Sequence, residues 1–241
     1  MSFYNSFEEI FQEMNRMKAS ENSVKAARLF GLLGMISLLS YAAAVIFAPL
    51  AYSGYDSLSQ AVSDLSADTA PSRVLWNQLS ALYMPCGIVC CTFCAFAVRG
   101  HLNRTLRRGV YFFAVMNWVS AVGYAMFPLP NSGKSEGFQG VMHLVITAAV
   151  VTLSVVSLVL IIFGGFRKKT LPSLAVFAAV ALTAMFVGAV GTGVLPAEYF
   201  GIPERFSVFS ATGFNAVLGG YLFFGKLEKA APEPQKGDER K

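Results

Sequence analysis

The chain has 241 residues, of which 55% are hydrophobic and only 14% charged, with a mean hydropathy of +0.54. That balance excludes an ordinary soluble domain, in which about a quarter of the residues are charged. The formal charge of +5 does not point to nucleic acid, because the basic residues are parcelled between apolar runs, where they orient a membrane protein.

Before the first apolar run, Phe3, Phe7, Ile10, Phe11, Met14 and Met17 recur at helical spacing, and Ser6 with Glu9 forms a capping-box pattern. Residues 1–26 therefore read as an amphipathic segment lying on the inner membrane surface. Its acidic Glu8, Glu9 and Glu13 come early and Arg16 and Lys18 late, as the helix dipole favours. No short apolar core with a small-residue cleavage pattern accompanies it, so it is not read as a removable signal peptide.

A helix needs about 20 apolar residues to cross a hydrocarbon core. Six runs meet that length: Leu29–Ala51, Val74–Val98, Gly109–Pro130, Val141–Phe166, Leu171–Ala197 and Phe206–Gly225. The expected fold is an all-α bundle of six transmembrane helices over residues 27–229. Residues 230–241, charged and proline-containing with nothing to bury, read as a disordered tail.

In span two, Pro85 frees a carbonyl near Ala81 and predicts a kink. All four cysteines lie in this span, and Cys86, Cys90 and Cys94 share a helical stripe, with Cys91 beside it. Small polarizable residues in such a stripe read as packing. A thiolate metal cluster would lack a histidine or carboxylate at that depth, so no metal site is assigned, and the residues name no cofactor. Span five carries Ala184, Gly188 and Thr192 four residues apart, and span six Thr212, Ala216 and Gly220. These small faces allow close helix approach, within the chain or between copies of a homo-oligomer.

Charge sets the expected topology. Arg16, Lys18, Lys25, Arg28, Arg99, Arg104, Arg107, Arg108, Arg167, Lys168, Lys169, Lys226, Lys229, Lys236, Arg240 and Lys241 fall on one side of the membrane, against Arg73, Lys134 and Arg205 on the other. Both termini are thus expected in the cytoplasm, with three connections facing outward across the inner membrane of a prokaryote.

Three polar groups gather at the outward ends. The first is Ser63, Asp64 and Asp68, with Asn77 just inside span two; the second is FPLPN at Phe127–Asn131 with His143 opening span four; the third is Glu204–Arg205 at the mouth of span six. His143 is the one outward histidine and the natural general base. Asp64 could orient it or pair with Arg205, and Ser63 is a possible nucleophile. The bland alternative is a turn built by Ser63 and Asp64 and an ion pair between Glu204 and Arg205. Deeper in the bundle only uncharged Asn117 and Asn215 stand out, which disfavours ion-coupled transport.

The stretches SLSQAVSDL at Ser57–Leu65, FPLP with His143, and ERFSVFS at Glu204–Ser210 together resemble the DUF998 family of six-span prokaryotic membrane proteins. The resemblance extends across nearly all the spans and implies that Ser63, Asp64, Asn77, His143 and Arg205 occupy motif positions. Where such sequences often carry glycine after Ser-Asp-Leu, this one has Ser66. A Ser-Asp pair before span two and a histidine opening a later span are more distantly similar to the Frag1/DRAM/Sfk1 group, which is linked to lipids and membrane remodelling.

The expected function is therefore an outward-facing pocket of Asp64, Asn77, His143, Glu204 and Arg205 that binds a lipid headgroup or other amphiphile, with membrane lipids as partners. A catalytic version is hydrolysis or group transfer with His143 as base. The alternatives are a small-solute transporter or channel, and a non-catalytic structural membrane partner. Cysteines introduced at Ser66 and Ser132 should react with a membrane-impermeant thiol reagent added to the outside of intact cells. Labelling from the cytoplasmic side instead would overturn this orientation.

Overall fold

The computed structural model describes residues 24–99, 102–131 and 137–229. The expected tail at 230–241, and all but residues 24–26 of the amphipathic segment, lie outside the described residues. Six helical stretches are long and apolar enough to cross a membrane: Val24–Ala51, Arg73–Ala97, Arg104–Met126, Gly137–Phe166, Pro172–Val194 and Ala197–Phe223. The chain is a multi-pass, all-α membrane protein. Its regular helices are α1 (Leu32–Phe47), α2 (Arg73–Leu79) and α3 (Tyr83–Ala97), which share the second span, then α4 (Arg104–Met126), α5 (Gly137–Phe166), α6 (Pro172–Val194), α7 (Gly201–Phe223) and a short α8 (Lys226–Lys229).

Two helix starts differ from those that charge alone suggests. Helix α4 begins at Arg104, ahead of Gly109, because Asn103 caps it: its Oδ1 accepts the Leu106 amide at 3.0 Å and its Nδ2 donates to Gly164 O at 2.8 Å. Helix α7 begins at Gly201, so Glu204 and Arg205 belong to its first turns and do not precede it. Charged side chains end an apolar run without ending a helix when loop groups receive them.

Span two breaks at Ser80–Leu82, one turn before Pro85, as the missing proline N–H predicts. Carbonyls at a break need donors, since lipid supplies none. Serines of α1 provide them: Ser40 donates to Leu79 O at 2.6 Å and Ser37 to Tyr83 O at 2.7 Å.

Consecutive helices pack in chain order from α3 to α7, and α1 packs on α2, α3 and α7, closing a ring; α3 and α7 also touch. Contacts between helices in lipid rest on van der Waals fit and hydrogen bonds, which small residues permit. A Cβ on Gly31 would overlap the carbonyl oxygen of Gly219, and a Cβ on Gly219 that of Gly31, so α1 and α7 cross at backbone contact. Cys90 and Cys94 are buried beside this crossing, with Sγ atoms 3.8 Å from Gly31 O and 3.6 Å from Leu218 O, in the packing role expected of the stripe. Gly188 is likewise used within the chain, against Pro203 and Ser207 of α7, whereas Gly213 and Gly220 have nothing within 4 Å of a built Cβ. At the basic end, Arg28 pairs with Glu228 and ties the segment before α1 to α8.

Gly219→Val should lower the unfolding free energy of the detergent-purified protein by about 1–3 kcal/mol, through overpacking at the α1–α7 crossing. Gly220→Ala should stay within about 0.5 kcal/mol of wild type in the same thermal measurement.

Candidate functional site

At the end of the bundle opposite α8, residues 52–72 form a folded polar loop. Asp56 starts it: Oδ1 accepts the Leu58 amide at 3.0 Å, Oδ2 accepts the Ser59 hydroxyl at 2.7 Å, and the Asp56 amide donates to Gln60 Oε1 at 2.7 Å. These donors, the Leu58 N–H first, hold the exposed Asp56 carboxyl below the usual aspartate range. Its support for the turn is thus present above the ordinary aspartate value and withdrawn as pH falls through the depressed one.

A 3-10 turn follows at Val62–Ser66, where the buried Asp64 accepts the Ala61 amide through Oδ2 at 3.2 Å. Ser66 donates to Ser63 O at 2.9 Å and Ser72 to Leu65 O at 2.8 Å, closing the turn onto the start of α2. Asp68 donates its amide to Leu129 O at 2.9 Å, and its carboxylate pairs with Arg73 at 2.9 Å, so the loop also leans on the connection after α4.

Residues at the start of α7 hold this loop in place. Arg205 Nη1 donates to Ser57 O at 2.9 Å, Gln60 O at 3.2 Å and Gly201 O at 2.7 Å, while Nη2 donates to the Tyr55 hydroxyl at 2.7 Å. Tyr55 passes its own proton to Ala61 O at 2.9 Å. Burial pushes the Tyr55 phenol up, against the lowering by Arg205, so it remains a donor at neutral pH. Gly201 donates its amide to Leu58 O at 2.7 Å, and a Cβ there would meet Ser57 O and Gln60 O, which explains the glycine. Glu204 Oε2 accepts the Val62 amide at 3.3 Å and stands within electrostatic reach of Arg205 and Asp64. Glu204 and Arg205, expected as an ion pair in the bland reading, instead bind separate backbone groups of the loop.

His143 lies in α5, half-buried against Tyr124 with ring centroids 5.0 Å apart. Its Nδ1 is 3.0 Å from Phe127 O. A carbonyl only accepts, so Nδ1 is the donor in this contact. The group that orients His143 is therefore the Phe127 carbonyl. Ser63 is half-buried within the loop, and Asn77 is exposed on α2. Of the expected pocket residues, the structure joins Asp64, Glu204 and Arg205 through one loop, and hydrogen-bonds His143 to the neighbouring connection.

Beside this loop an apolar groove of about 720 Å³ runs between α6 and α7. Phe177, Ala181, Ala184, Phe206, Phe209 and Gly213 line its length, and Ser57, Leu58 and Arg205 stand at the loop end. Reading the residues by polarity missed this feature. The signal available was Gly213, small and unmatched by the spacing-four stripe, opposite the small Ala181 and Ala184. Inside the bundle, Tyr41 packs on Trp76, Tyr83 and Phe209 at centroid distances of 5.9, 4.6 and 5.4 Å, filling the space beneath the loop.

Arg205→Ala should leave the loop carbonyls without their donor and cost about 2–3 kcal/mol. Hydrogen exchange should then speed up at residues 57–62 while α3 and α4 stay protected. Arg205→Lys should not restore protection, because an ammonium lacks the planar fork. Unchanged exchange in Arg205→Ala would dismiss the clamp.

No curated protein and no solved structure matches the chain significantly. A family model described as a protein of unknown function, DUF998, matches residues 35–221, from within α1 to near the end of α7, and so takes in the loop, His143 and the Glu204–Arg205 pair. The chain therefore belongs to the DUF998 family.

Proposed function

We propose that this protein binds a membrane amphiphile, with an alkyl chain in the α6–α7 groove and a polar head at Arg205, in the outer leaflet of a prokaryotic inner membrane. The observation that carries the reading is a half-buried guanidinium at the end of an apolar groove whose hydrogen-bond partners among the described residues are all neutral. Arginine has five donors. Nη1 is spent on carbonyls and one Nη2 hydrogen on Tyr55, so that among the described residues Nε–H and the second Nη2 hydrogen have no acceptor. A fork of two parallel N–H groups suits a phosphate or carboxylate, and a charge at the edge of an apolar phase attracts a counter-charge strongly.

Asp64 and Glu204 support this reading as the groups that fix the loop beside Arg205, and Asn77 has no part in it. The aromatic packing of Tyr41, Trp76, Tyr83 and Phe209 counts against a continuous solute path and hence against a transporter or channel. A hydrolase or transferase version is favoured by one observation, the hydrogen bond from His143 Nδ1 to Phe127 O that fixes the orientation of the ring. In that version Ser63 is the nucleophile and Asp64 shapes the turn that carries it.

Wild-type protein should retain phospholipid through detergent exchange, read by native mass spectrometry. Arg205→Ala should retain about ten- to a hundredfold less, from the loss of charge-assisted hydrogen bonds. Gly213→Leu should also displace the lipid, because Gly213 lines the groove and a Cβ there meets no protein atom within 4 Å, while the loop remains clamped. Retention unchanged in both variants would refute the groove reading. His143→Ala should keep the lipid and abolish any lipid-ester hydrolysis that wild type performs.

A further inference from the structure

We propose that the amphiphile carries an ammonium-bearing phosphodiester head of the phosphoethanolamine class, its phosphate on Arg205 and its ammonium on Asp56. The inference rests on the groove being a lipid site, and it narrows the lipid that the site takes.

The charges at the loop end of the groove decide the head. Arg205 and Asp56 hold the same short turn from different groups: Arg205 binds Ser57 O and Gln60 O, and Asp56 accepts the Leu58 amide and the Ser59 hydroxyl. Ser57 and Leu58, held between them, are the loop residues that line the groove. The guanidinium and the Asp56 carboxylate lie within electrostatic reach yet form no ion pair; among the described residues the ion pairs are Arg28–Glu228 and Arg73–Asp68. The groove therefore ends at a positive charge, Arg205, with the negative charge of Asp56 one residue from Ser57 in the same turn but outside the groove lining.

A purely anionic head matches Arg205 but brings its charge toward Asp56 and Glu204, and like charges at such range are repelled. A head holding both a phosphate and an ammonium complements both groups. Asp56 is available for this, since it is exposed and hydrogen bonds keep it ionised well below neutral pH. A primary ammonium brings three N–H donors to carboxylate oxygens that have lone pairs to spare. A quaternary ammonium brings none and is ordinarily held over aromatic faces.

The test is competition on the full-length protein in detergent, with equimolar phosphatidylethanolamine, phosphatidylglycerol and phosphatidylcholine of identical acyl chains, read by native mass spectrometry. Wild type should retain the ethanolamine lipid about two- to fivefold over each competitor, the scale of one exposed ion pair. Asp56→Asn, which preserves the turn, should equalise the ethanolamine and glycerol lipids, and Asp56→Glu should restore the preference. Equal or greater retention of phosphatidylglycerol by wild type, equal retention of phosphatidylcholine, or a preference that survives Asp56→Asn overturns this inference and leaves the groove reading intact. Wild type that holds no lipid, or runs as a dimer that Gly213→Leu dissociates, overturns both.

Discussion

A backbone that leaves helical geometry at the edge of a membrane must find donors for its carbonyls, and here one guanidinium supplies them. Arg205 reaches two carbonyls and a phenol of a connection some 150 positions earlier in the chain, and the Gly201 carbonyl of its own helix. Glu204 does the complementary task, accepting the Val62 amide, and Gly201 contributes an amide and the absence of a side chain. Adjacent residues on one helix thus satisfy donors and acceptors of a loop that also buries Val62, Leu65, Ala67 and Ala70.

The groove follows from this arrangement. Gly188 and Gly191 of α6 press against Pro203 and Ser207 of α7, which sets the distance between the two helices. Alongside that contact Ala181, Ala184 and Gly213 are too small to fill the gap, and a channel lined by hydrocarbon is left open toward lipid. The clamped loop ends it with Ser57, Leu58 and Arg205. Had Arg205 paired with a carboxylate, its charge would be neutralised and the groove would end in a polar but indifferent wall. Because its partners are carbonyls and a phenol, the positive charge remains for a ligand to meet.

Legibility differed from residue to residue for physical reasons. Pro85 announced the break in span two because a missing N–H acts locally, whatever the tertiary fold. The cysteine stripe and Gly188 read correctly as packing, though Ser207, the partner of Gly188, needed the fold to name it; in span six the close contact falls to Gly219 against Gly31, and Gly220 of the expected stripe meets nothing. Arg205 and Glu204 drew notice as charges at a span end, but their acceptors are backbone groups, which every residue carries and no sequence pattern distinguishes. For the same reason His143 suggested a carboxylate partner when its orienting group is the Phe127 carbonyl. Tyr55, which both accepts from Arg205 and donates to Ala61 O, gave no signal at all, because a tyrosine near a membrane surface is ordinarily an interfacial anchor.

The amino-acid sequence by itself determined that this is a six-span helical membrane protein with a polar connection after the first span, because length, hydropathy and proline act through the bilayer and the local backbone. Tertiary structure alone decided that Arg205 clamps this connection, that Asp56 and Arg205 end as a separated charge pair, and that an open groove runs beside them. Those outcomes depend on which carbonyl meets which donor and on where two small-residue helix faces fail to touch, and both are set by the packing of segments far apart in the chain.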